Sequence, residues 1–412
     1  MKAIHPLHLV LLLVAPVAQA TTVGDGRVVT LEEALRLAEA TGAVAGAQGA
    51  ARSKAQAERG LSPILGNPEV TLQQGWVDDP DPAVAGSLSQ LSVSLPLRLS
   101  GRAQVQAASA ETDALWVQAA LQRHDRRLEV ATAWLALWAV QSAAESARQE
   151  VELAAALLGK VDGAHQLGGV TRLEVAEARS HLAEARLSAL EVERSRVSAR
   201  LELVRTLGLA SQPEVRAEGP LPGLGAAPTP DERQWLLEAA SRHPAVIAQR
   251  HRVRAAEARI REARAAAGWQ VSVGAQGSLQ AGRYPSASGL LALTPPLFER
   301  GAREAALASA ELAEAEGQLR EVTASAANSI AEVLHDATHA NEVHRVLETE
   351  LIPSSKQAAE LALLLFDNGQ SQAPDVLRAR RALSSAQRRL VAGRLEAARA
   401  AVRLTLLREL LQ

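Results

Sequence analysis

His335 and His339 stand four residues apart in a stretch of helical patterning, with His344 nearby and Glu332 and Asp336 beside them. That spacing puts two imidazoles on one helix face, an arrangement that can hold a divalent metal. No further ligand motif accompanies them, and such residues more often form a solvated face, so the sequence assigns no metal site and no cofactor. The chain contains no cysteine, which removes disulfides, thiolate metal sites and an acylated N-terminal cysteine. It shows no Gly-rich phosphate loop, nucleophile motif or paired-carboxylate signature, so no enzymatic activity is expected. A net charge of −2 without a basic run argues against nucleic acid as a partner.

A second group of chemically loaded residues lies at two polar turns. Gly168 and Gly369 read as glycines that end helices with positive φ. Thr171 and Glu174 form a capping box just after the first turn. After the second, Asp375 lies where a negative charge favours a helix N-terminus by about 0.3–1 kcal/mol. Arg378, three residues on, can pair with Asp375 within or between chains, and Asp367 precedes the turn.

The elements that must position these residues occur twice. Pro96-Leu97 through Gly101, and Ala108-Ser109-Ala110-Glu111, return as Pro296-Leu297 through Gly301 and Ala308-Ser309-Ala310-Glu311. Gly168, Val175, Ala178-Arg179, Leu182 and Ala185 return as Gly369, Val376, Ala379-Arg380, Leu383 and Ala386. The offset drifts only from 200 to 202 across the chain, so each half carries the same parts in the same order.

Each half opens with a helix, over roughly 31–60 and 231–267, started by Thr30 with Glu33 and by Thr229 with Pro230. Strands follow at about 68–76 and 88–97, and again at about 269–279 and 288–296. Val70, Leu72 and Trp76 alternate with Thr71 and Gln73, and Val271, Val273 and Ala275 with Ser272, Gly274 and Gln276. The strands have the length that spans a bilayer, and their polar sides carry Ser, Gln and Gly, which suit a wet lumen. Trp76 and Trp269, at the ends of apolar faces, are candidate membrane-interface aromatics. Asp78–Pro82 and Gly282–Pro285 read as turns. A small soluble β-domain with one wet face would show the same alternation.

Long helices come next, over about 102–167 and 302–366, with Pro353 expected to kink the second. Each is some 65 residues, or about 100 Å. Their successors carry an a/d seam, clearest from Val376 to Leu411, with small residues that let helices approach closely. Aromatics make up only 2% of the chain, so its core must come from Ala, Leu and Val packed helix to helix.

Residues 1–20 read as an export signal: Lys2, an apolar core over Leu7–Val17, and Ala18-Gln19-Ala20 as the cleavage site. The first structural repeat then covers 21–211, a Pro/Gly-rich linker 212–230, and the second repeat 231–412. The fold class expected is mainly α with a small β part, built on duplicated long-helix hairpins. Four strands cannot close a membrane barrel, and an open edge in lipid costs several kcal/mol per unpaired group, so if these strands enter a membrane several chains must pool them.

The ordered double occurrence of these parts resembles the TolC family of outer-membrane efflux channels over nearly the whole mature chain. The strand exits Ser94–Gly101 and Leu293–Gly301 and the tip motifs Leu167–Arg179 and Asp367–Arg380 carry the resemblance. It implies a homotrimer with a twelve-stranded β-barrel in the outer-membrane lipid and an α-helical barrel in the periplasm. It implies an exit duct that docks a periplasmic adaptor and an inner-membrane pump, with no enzymatic activity and no cofactor. Gly168, Gly369 and Glu174 become candidates for adaptor docking. Asp375 matches an acid associated with the closed aperture; one such acid per chain would make a charged ring, and Asp367 a second. The family pattern has another acid where this chain has Arg378, a departure that weakens a double acidic ring. The alternative is a periplasmic adaptor or coiled-coil scaffold without a pore.

Overall fold

In the computed structural model the period-two segments pair into one sheet. The structure describes residues 27–39, 42–59, 64–78, 80, 86–209, 214–223, 227–280, 284–297 and 301–412. The export signal, the linker start at Gln212, the hairpin-turn residues Asp79, Asp81, Pro82, Gly282 and Arg283, and the exit residues Phe298, Glu299 and Arg300 lie outside them. The elements run β1 (Arg27–Val29), α1 (Leu31–Glu39), α2 (Gly42–Arg59), β2 (Glu69–Val77), β3 (Gly86–Leu97), α3 (Gly101–Gln166) and α4 (Arg172–Thr206). They continue with β4 (Val215–Ala217), α5 (Pro230–Glu238), α6 (Pro244–Ala266), β5 (Gln270–Gln280), β6 (Tyr284–Thr294), α7 (Ala302–Val346), α8 (Ile352–Asp367) and α9 (Ala373–Leu411).

The antiparallel sheet has the order β2-β3-β5-β6, with strands of 9 to 12 residues. Its register sets Leu72 opposite Leu91, Leu91 opposite Gly277, Val273 opposite Leu95 and Leu291. Because pleat sides alternate, Val70, Leu72, Trp76, Leu91, Val93, Leu95, Val271, Val273, Leu279, Leu291 and Leu293 therefore fall on one face. The other face carries Thr71, Gln73, Gln90, Ser92, Ser94, Ser272, Gln276 and Ser278.

Below the sheet, α3 runs unbroken for 66 residues, about 99 Å. Two antiparallel partners share its length. Along its N-terminal half, Gln118, Glu111 and Gln106 meet Arg252, Arg259 and Arg261 of α6. Along the rest of its length, Glu129, Glu150 and Asp162 meet Arg205, His181 and Arg179 of α4. Lys54 of α2 also reaches Glu111 at 2.9 Å, and Arg259 reaches Glu311 of α7 at 3.0 Å. Burial pushes the Glu111 carboxyl up, but Lys54 and Arg259 more than offset this and hold it below the usual range.

Small side chains make the helices pack closely. The a/d positions Val376, Ala386, Ala397, Ala400, Leu404, Leu407 and Leu411 are buried on α9, and Val175, Ala178, Leu182 and Ala185 on α4. The largest core unites α1, α3, α4 and α9 around Trp134, whose indole N–H donates to the Val29 carbonyl at 2.7 Å.

Four sequence expectations change. The opening helix of the first half is two helices, α1 and α2. That of the second is broken by a 3₁₀ turn, Ala239–Arg242, because Pro244 disfavours a helical His243. The linker contains β4, which pairs parallel with β1, so the start of the first repeat and the residues just after it are stitched together on α3. The second long helix runs on from Ala302 to Asp367 through a π turn at Leu347–Leu351, directly before Pro353, which has no N–H to give the i→i−4 ladder. The offset between the copies is 200 at Gly101/Gly301 and 201 at Gly168/Gly369, so the second hairpin holds one extra residue. A π turn absorbs one such residue without losing helix continuity.

Candidate functional site

The hairpin tips are built by two matching helix stops. At the first, the Gly169 N–H donates to the Ala164 carbonyl at 2.9 Å, and Gly168 has φ 78°. At the second, the Gln370 N–H donates to Leu365 at 2.8 Å, and Gly369 has φ 70°. Both are six-to-one caps that need a left-handed residue, which glycine adopts without a Cβ penalty. The next helix starts differently in each copy. At α4 the Thr171 N–H donates to Glu174 Oε2 at 2.6 Å and the Glu174 N–H donates back to Thr171 Oγ1 at 3.3 Å. The Thr171 backbone N–H, with its hydroxyl and the Ala373 N–H, holds the Glu174 carboxyl below the usual carboxylate range, against a slight upward push from burial. At α9, Gln372 caps with no side-chain bond.

The two tips touch each other. Leu157, Val161, Val175, Ala178, Ala373, Val376 and Leu377 form one buried cluster across α3, α4 and α9, with Phe366 of α8 against it. Asp367 is not a free acid: Lys160 Nζ holds its two oxygens at 2.9 and 2.7 Å. This tie was invisible in the sequence, since the partners are 207 residues apart. Asp375 and Arg378 pair loosely within the chain, at 3.6 Å, and both stay largely exposed. Leu167, at the extreme of the first tip, is 90% exposed.

At the other end, the apolar sheet face is open. Val70, Leu72, Trp76, Leu91, Val93, Trp269, Val273, Leu279, Leu291 and Leu293 are all exposed. A contiguous apolar surface of this size marks a contact with lipid or another chain. Trp76 pairs with Ser87 at the hairpin-turn end, while Trp269 precedes β5 at the helix end. Since Leu97 pairs with Val271, Trp269 is level with residue 99, twelve residues along from Ser87. At about 3.3 Å per residue the tryptophans are separated by about 40 Å along the strands. With strands tilted about 45°, that is about 28 Å along the normal, close to the hydrocarbon thickness of a bilayer.

The helical layer has two unlike sides. Gln141 takes the Ala217 N–H at 3.0 Å and Trp134 binds Val29, so β1 and β4 cover one side of α3. Nine residues on is half a turn away, and Ala143 and Glu150 there line a cavity of about 640 Å³ between α3, α4 and α9. In the second half, Ile330 and Leu334 pack on α5, and His339 and Val343, again nine residues on, line a hollow of about 580 Å³ beside α9. His335 and His339 are stacked, with ring planes within 1° and centroids 5.9 Å apart.

Residues 235–408 match the family described as "Outer membrane efflux protein". Over 366 residues the chain is 26% identical to the cobalt-zinc-cadmium resistance protein CzcC of Cupriavidus metallidurans, covering 87% of this chain and 84% of that protein. Its fold is similar to that of a membrane protein from Pseudomonas aeruginosa, with TM-score 0.70 and 23% identity over 92% of this chain and 89% of the other. It is similar as well to CusC, a protein that forms a transmembrane channel, with TM-score 0.71 and 14% identity over 92% and 91%. These matches bear out the resemblance to the TolC family of outer-membrane efflux channels and support an efflux channel.

Proposed function

We propose that three copies of this chain form the outer-membrane exit duct of a tripartite efflux system, which conducts substrate passively from a periplasmic adaptor and inner-membrane pump to the exterior. The observation that carries this reading is the in-register apolar face of the sheet, bounded by Trp76 and Trp269 about one bilayer apart along the normal. Both sheet edges, β2 and β6, are open among the described residues, and closure with other copies would satisfy them.

Quasi-equivalence of the halves supports a ring. Helix α6 lies between α3 and α7, whereas its counterpart α2 packs chiefly on α3. Helix α9 lies between α3 and α7, whereas its counterpart α4 packs chiefly on α3. The open sides of α2 and α4 thus call for the α7–α8 helix of a neighbouring copy. Leu187, Leu190 and Leu201 on α4, and Leu361 and Leu364 on α8, are the exposed apolar residues such a head-to-tail contact would bury. Twelve pooled strands then close a barrel, and the helix side turned away from β1, β4 and α5 becomes the tunnel wall.

In this reading the tips form the periplasmic mouth. Gly168, Gly369 and Glu174 shape the surface for the adaptor, and Asp375 with Arg378 lines the aperture. No catalysis and no cofactor are required. The relative named for cobalt, zinc and cadmium resistance makes divalent metal cations the first cargo to test. Native mass spectrometry of the detergent-extracted protein should give three chains per particle, and planar bilayers should show stable single-channel conductance. A monomer released from membranes by carbonate would overturn the proposal in favour of a scaffold without a pore.

A further inference from the structure

We infer that His335 and His339 form a two-imidazole docking point for a divalent late-transition-metal ion on the face of α7 turned away from α5. Five other histidines are engaged: His165 with the Val170 carbonyl, His181 with Glu150, His243 with the Ala245 N–H, His251 with Asp113 and His344 with Glu348. His335 and His339 have no hydrogen-bond or ion-pair partner among the described residues, and both are exposed. Their parallel rings face the same solvent. Bringing a nitrogen of each to about 2.0–2.1 Å from one ion requires only rotation of exposed side chains.

The surroundings favour a cation. Glu332, three residues before His335, and Glu342, three residues after His339, are exposed on the same stripe of the helix. Asp336 is turned aside to Arg403, at 3.4 Å. Imidazole donors suit zinc, copper and nickel better than magnesium or calcium. Among the described residues no group of three or more His, Cys, Asp or Glu could hold an ion. Two protein ligands leave the remaining positions to water, so the ion binds weakly and exchanges, as a transit point must and a structural site does not. The transit role rests on the duct reading; the binding does not.

Titration of the full chain in detergent with Zn²⁺ alone, read by calorimetry, should give about one equivalent per chain that is lost in His335→Asn and His339→Asn. Glu332→Gln should weaken it by about tenfold or less, as expected of a carboxylate that is not a direct ligand. Cu²⁺ bound to the wild type should show two-nitrogen coordination by electron paramagnetic resonance, and one or none in either histidine variant. Native mass spectra confirm that each variant keeps the wild-type assembly. Zn²⁺ stoichiometry unchanged in the double variant, or no binding by the wild type, overturns the site and leaves the duct intact. Absence of conductance with Zn²⁺ binding retained overturns the duct and leaves the site.

Discussion

The two hairpins have the same parts in the same order, yet they are held differently. The first has an unbroken 66-residue helix, an indole anchored on the carbonyl of the buried Val29, and a reciprocal capping box where α4 begins. The second has a π turn at Leu347–Leu351, packing of Leu334 in place of Trp134, and no side-chain cap where α9 begins. A duplication gives both copies one topology, and divergence then distributes the anchoring contacts unequally, with more of them in the first hairpin. The first hairpin is therefore expected to be the stiffer and the second the more compliant.

Removing the anchors should separate the halves most. Trp134→Ala empties a fully buried site and leaves the Val29 carbonyl with the Glu218 N–H at 3.3 Å, and should cost about 3–5 kcal/mol. Leu334→Ala, its counterpart in the second half, should cost about 2–5 kcal/mol. Chemical denaturation followed by circular dichroism measures both; a smaller loss for Trp134 than for Leu334 would break the contrast.

Hydrogen exchange tests the compliance directly. Amides across Leu347–Leu351 should exchange about tenfold or more faster than those at the equivalent level of α3, around Ala147–Val151, because i→i+5 geometry weakens the ladder. Equal protection would remove the basis for calling the second hairpin the softer one.

The caps can be exchanged. Thr171→Ala should destabilise by about 1 kcal/mol, and Gln372→Ser should stabilise by up to about 1 kcal/mol by supplying the missing cap. The Glu174 carboxyl also makes the first tip pH-sensitive. Its folded pKa lies below the unfolded value, so its contribution is present above about pH 4.3 and is lost as pH falls through the folded value. Thermal melts of Glu174→Gln should therefore fall less steeply with acid than those of the wild type.

The smallest effect is expected at the tie between the tips. Lys160 and Asp367 are both nearly half exposed, so a double-mutant cycle with Lys160→Ala and Asp367→Asn should return about 0–1 kcal/mol. A coupling several times larger would mean that the tip contact, and not the π turn, controls how freely the second hairpin moves.

Much of the fold was legible because its signals are local. The glycine stops, the Thr171–Glu174 box and the strand alternation depend on residues within a few positions of one another, so spacing alone reveals them. The partner of Asp367 did not, because Lys160 meets it only after both hairpins fold side by side. The β1–β4 pair escaped notice for the same reason: three-residue strands carry too little pattern, and their pairing joins the two ends of the first repeat. The π turn had a sequence signal, the slip of the offset from 200 to 201, but that slip gives no position. Trp76 and Trp269 looked alike in sequence, and only the strand register placed them at opposite ends of one apolar face.

By itself the sequence determined the part list: two copies, each with two strands too few to close and a hairpin too long to be globular. Periodicity and chain length decide that much, since each is a property of consecutive residues. The tertiary structure decided which charges cancel, which histidines stay unpaired, and which sides of the sheet and helices remain open. Those follow from contacts between residues up to two hundred positions apart, and no local pattern encodes them.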